Sequence, residues 1–120
     1  MVEGERLPAR FLREDDVLVV SVCHDRLDAS MTTTLRKQLA LPLSRSRHVV
    51  VDLSGVGFLD SAGVGLLLWI RGRQQARYGA LHLCGVTARV RATLALVRAD
   101  LVLPIFDDSA SAQRAFTIAA

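Results

Sequence analysis

Residues 48–53, His-Val-Val-Val-Asp-Leu, constrain the fold more than any other stretch of the chain. Three consecutive β-branched residues favour extended backbone. The apolar residues stand side by side instead of alternating with polar ones, so a strand built from them is covered on both faces. That arrangement belongs to α/β proteins, in which helices flank a mostly parallel sheet. The segment that follows is Gly55-Val-Gly-Phe-Leu-Asp-Ser-Ala-Gly-Val-Gly65, and a second apolar run extends from Val64 to Ile70. Asp60 and Ser61 are the polar pair at the centre of this junction, and their presence there needs a reason.

The rest of the chain supports the same architecture. Val17–Cys23 reads as a strand, with Arg10–Arg13 as a shorter partner joined to it through the acidic turn Glu14-Asp-Asp16. Asp28–Ala40 reads as a helix capped by Asp28 or Ser30. Met31, Leu35 and Leu39 share one of its faces, and Pro42 ends it. A long helix is expected over Ser61–Tyr78, stopped by Gly79. Ala80–Cys84 follows as a core strand, and Thr87 caps a helix to about Val97. Leu101–Phe106 reads as an edge strand because Pro104 has no N–H for a ladder. Asp107-Asp-Ser109 caps a final helix. The order is ββαβαβαβα, a mixed, mostly parallel sheet of four to five strands with four helices. One domain over 9–120 is expected, preceded by a loose tail over 1–8.

Composition narrows the function. At 120 residues and 51% hydrophobic, the chain can build a core without staples. Met1–Arg6 contains no signal-type apolar segment, no run is long enough to span a bilayer, and a cytoplasmic location is the expectation. Cys23 and Cys84 are too few for a disulfide framework and read as reduced thiols. His24, His48 and His82 are far apart, so no metal-binding spacing arises. The net charge of +3 comes from scattered arginines with no interleaved aromatics, a poor match to nucleic-acid binding. No cofactor motif is present: Gly63-Val-Gly65 lacks the third glycine of a dinucleotide loop, and no Walker-type phosphate loop occurs.

Three roles compete for Asp60-Ser61. One of the pair can cap the helix that starts there. Ser61 as a nucleophile is poorly served, because Leu59-Asp-Ser-Ala-Gly63 lacks the first glycine of a hydrolase elbow and no base can be assigned. A phosphorylatable Ser61 is the third role. A phosphate at a helix start meets free N–H groups and the positive end of the helix dipole, and beside Asp60 it turns a weakly acidic surface strongly acidic without unfolding the chain.

Val49–Leu68, with its Asp60-Ser61 pair and Gly63, resembles the central motif of STAS domains, especially bacterial anti-sigma factor antagonists. Leu27-Asp28 before the first helix and Gly85 after the third core strand extend the resemblance over about residues 10–117. It implies a non-enzymatic protein that binds an anti-sigma factor, itself a serine kinase of GHKL type, and thereby frees a sigma factor. Phosphorylation of Ser61 would end the binding, and a PP2C-type phosphatase would restore it. The alternative is a STAS scaffold or accessory subunit, in a lipid-transport ATPase complex or a signalling assembly. Neither role involves direct contact with nucleic acid or membrane. Where the family often has Gly-Glu, this chain has Asp25-Arg26, and the second serine of the common pattern is Ala62. The expected partner surface comprises Arg26, Asp28, Asp60, Ser61, Ala62 and Gly63, extended along the helix by an exposed pair, Leu66 and Trp69. Val64, Leu67 and Leu68 are assigned to the core.

Overall fold

The computed structural model describes residues 9–118. The tail expected over 1–8 lies outside the described residues. The chain runs β1 (Ala9–Glu14), β2 (Val17–Val22), β3 (Arg26–Leu27), α1 (Ala29–Ser44), β4 (His48–Asp52), β5 (Phe58–Leu59), α2 (Ser61–Gln75), β6 (Leu81–Cys84), α3 (Ala88–Leu96), a 3-10 turn (Ala99–Leu101), β7 (Ile105–Phe106) and α4 (Ser109–Ile118). Five strands form one sheet in the order β1-β2-β4-β6-β7, with β1 antiparallel to β2 and all other pairs parallel. The expected ββαβαβαβα order is present. Two short strands, β3 and β5, are additional to it and pair with each other in a separate parallel ribbon.

The continuous apolar run of β4 has the explanation its sequence demands. Val49 and Val51 pack with Leu18, Val20, Leu81 and Leu83 in the main core. Val50 points the other way and packs with Val19, Cys84, Ala112 and Phe116 beneath α4. Burial pushes the Cys84 thiol up to about 12, so it stays protonated, and both cysteines are free.

Three local expectations change. Pro42 sits inside the last turn of α1, which continues to Ser44. Pro42 gives up its bond to the Gln38 carbonyl and its ring crowds that carbonyl, but only two helical residues follow it, so there is almost no helix beyond the proline to break. At the end of α2 the left-handed residue is Tyr78 (φ 63), not Gly79. Gly79 is required for a different reason: a Cβ there would collide with the Arg47 carbonyl. Leu101–Leu103 do not form a strand. The chain takes a 3-10 turn instead, and only Ile105–Phe106 pair with β6, at the sheet edge as expected. Thr87 caps α3 through its hydroxyl, which accepts the Val90 N–H (3.3 Å).

Two buried side chains fix the far ends of the helices. Gln74 is fully buried, and its amide nitrogen donates to the carbonyls of Ser46 (2.7 Å) and Arg47 (3.1 Å), anchoring the last turn of α2 to the loop before β4. On the other face, the Phe116 ring of α4 stacks against His48 (4.3 Å) and His82 (3.8 Å). His48 Nδ1 accepts the Ala80 N–H (3.2 Å), and His82 Nδ1 lies 2.9 Å from the Ala112 carbonyl and donates to it. His48 in this arrangement is therefore neutral: a proton on Nδ1 would set two donors against each other. Burial, then the Arg47 cation, pushes His48 below the ordinary value of 6.5, and burial pushes His82 below it. The unfolded chain thus takes up protons more readily than the fold. Stability is complete above about pH 7 and is lost as the pH falls through about 6.5 toward the folded values. Urea unfolding should show a lower midpoint at about pH 5.5 than at about pH 7.5, with the amides of α4 losing protection first. Replacing both histidines with glutamine should flatten that difference.

Candidate partner-binding site

The site is assembled by the β3–β5 ribbon. Arg26 pairs with Phe58 and Leu27 with Leu59, so the next residues in each chain segment, Asp28 and Asp60, emerge side by side. Each caps the helix that follows it. The Asp28 carboxylate accepts the Ser30 N–H (3.1 Å) and hydroxyl (2.6 Å), and the hydroxyl bond holds its carboxyl below the ordinary value of 3.8. One Asp60 oxygen, Oδ1, accepts the Gly63 N–H (2.9 Å). The other, Oδ2, crosses to α1 and accepts the Ala29 N–H (3.2 Å). A single carboxylate therefore satisfies donors at the start of two neighbouring helices, where the helix dipoles also favour negative charge.

Gly63 makes this closeness possible. It is buried, and a Cβ at this position would collide with the Leu27 carbonyl and crowd the Leu59 side chain. Ser61, the first residue of α2, is exposed. Its hydroxyl has no hydrogen-bond partner among the described residues, because Asp60 does the capping. The Val64 N–H is bonded to the Asp60 carbonyl (3.0 Å). The N–H groups of Ser61 and Ala62 are left without a partner among the described residues. Ala62 is half-buried beside them.

Arg26 is exposed, makes a 3.5 Å ion pair with Asp28, and lays its guanidinium 4.1 Å from the centre of the Phe58 ring. These contacts place Arg26 and Asp28 in one surface with Asp60, Ser61 and Ala62; Gly63, expected in that surface, is buried beneath it against Leu27 and Leu59. The helical extension is different from the expectation. Leu66 is buried (2% exposed) and belongs to the core, whereas Leu68, assigned to the core from the sequence, is 40% exposed. The buried stripe of α2 is Gly63, Val64, Leu66, Leu67, Ile70 and Gln74. Its centre lies about 80° round the helix, nearly one residue's rotation, from the face expected from Val64, Leu67 and Leu68. The pattern of α2 is apolar nearly all round, which leaves its rotation undetermined by periodicity. Trp69 is half-buried against the core edge, with the guanidinium groups of Arg36 (5.1 Å) and Arg73 (5.2 Å) over its ring. The face that continues from Ser61 is Gly65, Leu68 and Gly72, spaced by three and four residues.

Comparisons with known proteins bear on the fold that carries this geometry. The chain belongs to the STAS domain family, whose model matches residues 10–112. An anti-sigma factor antagonist from Mycobacterium paratuberculosis is 23% identical, with a TM-score of 0.80 over 91% of this chain and 92% of that one. An anti-sigma-factor antagonist (STAS) domain protein from Planctomyces limnophilus is 24% identical, with a TM-score of 0.78 over 93% and 97%. The Bacillus cell fate determinant SpoIIAA, in its phosphorylated form, is 15% identical, with a TM-score of 0.69 over 89% and 98%. At these identities the likeness establishes the fold. No described helix is long and apolar enough to cross a membrane, and no described cluster of His, Cys, Asp and Glu could hold a metal ion.

The division of labour between Asp60 and Ser61 is open to direct measurement. Asp60→Ala should lower unfolding free energy by about 2 kcal/mol, since it removes a cap and leaves the Ala29 N–H unpaired. Asp60→Asn, which keeps one acceptor, should cost less. Ser61→Ala should be close to neutral. Urea denaturation of the three variants checks the order, and equal losses for Asp60→Ala and Ser61→Ala would refute the assignment.

Proposed function

We propose that the chain is an anti-sigma factor antagonist whose binding is switched by phosphorylation of Ser61. The observation that carries this reading is the exposed Ser61 hydroxyl, unengaged at the start of a helix whose cap is supplied by its neighbour. In the unmodified state Arg26, Asp28, Asp60, Ser61 and Ala62 present a compact surface, supported from beneath by Gly63, to a GHKL-type anti-sigma kinase, and occupying that partner frees the sigma factor. The kinase then uses ATP. The Ser61 Oγ attacks the γ-phosphorus, the new O–P bond forms as the bond to the ADP oxygen breaks, and the hydroxyl proton passes to a base of the kinase.

The product keeps its fold and changes its surface. The phosphate is received by the unpartnered N–H groups of Ser61 and Ala62 at the positive end of α2. Together with Asp28 and Asp60 it concentrates negative charge where the partner docked, adding about −1.5 to −2. A PP2C-type phosphatase hydrolyses the ester and restores binding. Because position 62 is alanine, Ser61 is the one hydroxyl in the Asp60–Gly63 segment at the start of α2.

Binding of a purified GHKL-type anti-sigma kinase from the same organism tests the reading. Ser61→Ala should bind as wild type does and take up no phosphate from ATP. Ser61→Glu should bind at least about tenfold more weakly with an unchanged unfolding curve. Wild-type affinity in Ser61→Glu would contradict the switch.

A further inference from the structure

The corner between α3 and β7 carries a second surface that the Ser61 site does not use. Leu96 (85% exposed), Val97 (56%), Leu101 (73%) and Val102 (39%) lie in water around this corner, although Ala99 and Leu103 between and beyond them are buried. Arg98 makes the corner by adopting a left-handed conformation (φ 61) that residues other than glycine rarely take. Four exposed apolar side chains within seven residues are uncommon on an unpartnered surface.

The charge around them is predominantly positive. Arg89, Arg91 and Arg98 stand in this segment against the single acid Asp100, and Arg71 of α2 reaches across to donate through Nε to the Val102 carbonyl (3.1 Å). None of these arginines makes an ion pair among the described residues, where the one ion pair joins Arg26 and Asp28. Beside Val102 lies a shallow cavity of about 160 Å³, bounded by Arg71, Gln75, Gly79 and Pro104, with room for an incoming side chain.

We propose that this corner docks an acidic amphipathic helix of another protein. The apolar face of that helix covers Leu96, Val97 and Leu101, a side chain enters the cavity beside Val102, and its flanking carboxylates meet Arg98, Arg71 and Arg89, which lies on the Leu96 side of α3 two turns earlier. A second copy of this chain fits poorly, because it would bring arginines against arginines. A membrane surface offers no side chain for the recess, and the patch has none of the aromatic residues that favour a bilayer interface. Arg71 lies ten residues along α2 from Ser61, about 15 Å at helical rise. At that distance the Ser61 side chain does not touch the corner, so modification of Ser61 leaves the corner's own contacts in place.

The intact chain can be titrated with two labelled helical peptides that share a leucine face, one flanked by glutamates and one by lysines. The glutamate peptide should bind, and the lysine peptide should not. Leu96→Ser with Leu101→Ser should weaken the glutamate peptide at least about tenfold. Arg89→Glu with Arg98→Glu should transfer binding to the lysine peptide, which a misfolded variant could not do. Ser61→Glu should leave the titration unchanged. Equal binding of both peptides, or of neither, would overturn the proposal. So would capture of the chain by phosphatidylserine vesicles that Leu96→Ser and Leu101→Ser abolish, or self-association abolished by the same substitutions.

Discussion

The Asp60 carboxylate is the contact on which the rest of the site depends. Its two oxygens serve the first turns of two different helices, accepting from Gly63 in α2 and from Ala29 in α1. The bonds tie together segments thirty-one residues apart in sequence. They also hold Leu27 and Gly63 so close that no side chain fits between them. The far end of α2 is fixed independently, by the buried amide of Gln74 against the loop that leads into β4. A helix anchored at both ends presents its first residue in a defined position, as a recognition site requires.

This arrangement separates structural load from signalling. Capping residues are commonly serine or aspartate, and a serine that also capped its helix would lose that bond when modified. Here the aspartate caps, so the adjacent serine is free to change charge. In the proposed switch, phosphorylation acts on the surface offered to a partner, while the bonds that hold α1 and α2 stay in place. The corner at Arg98 shows a related economy of the fold. A backbone turn that buries Ala99 and Leu103 leaves leucines outside, on a surface remote from the switch.

Much of the fold was legible in the sequence because it follows from burial. The unbroken apolar run of β4 required cover on both faces, and the caps Asp28, Thr87 and Asp60 mark helix starts by residue type. The β3–β5 ribbon was not legible: two-residue strands carry no periodicity, and their pairing arises from the chain returning to the same place before α1 and α2. With the ribbon went the knowledge that Asp60 reaches Ala29. The rotation of α2 was misjudged for a related reason. Leu66, Leu67 and Leu68 are chemically equivalent, and only packing against the sheet selects Leu66 for the core and leaves Leu68 outside. Leu101 and Val102 looked like strand residues, yet the buried positions in that segment are Ala99 and Leu103, four apart, which a tight turn satisfies and an extended chain does not.

The most direct test of the account is amide hydrogen exchange on the chain carrying phosphoserine installed at position 61. If Asp60 bears the structure and Ser61 only the charge, the Ala29 and Gly63 amides will exchange as slowly as in the unmodified chain. Changes will then be confined to the N–H groups of Ser61 and Ala62 that receive the phosphate. Loss of protection at Ala29 and Gly63 would contradict it, showing that the modification breaks the Asp60 bridge.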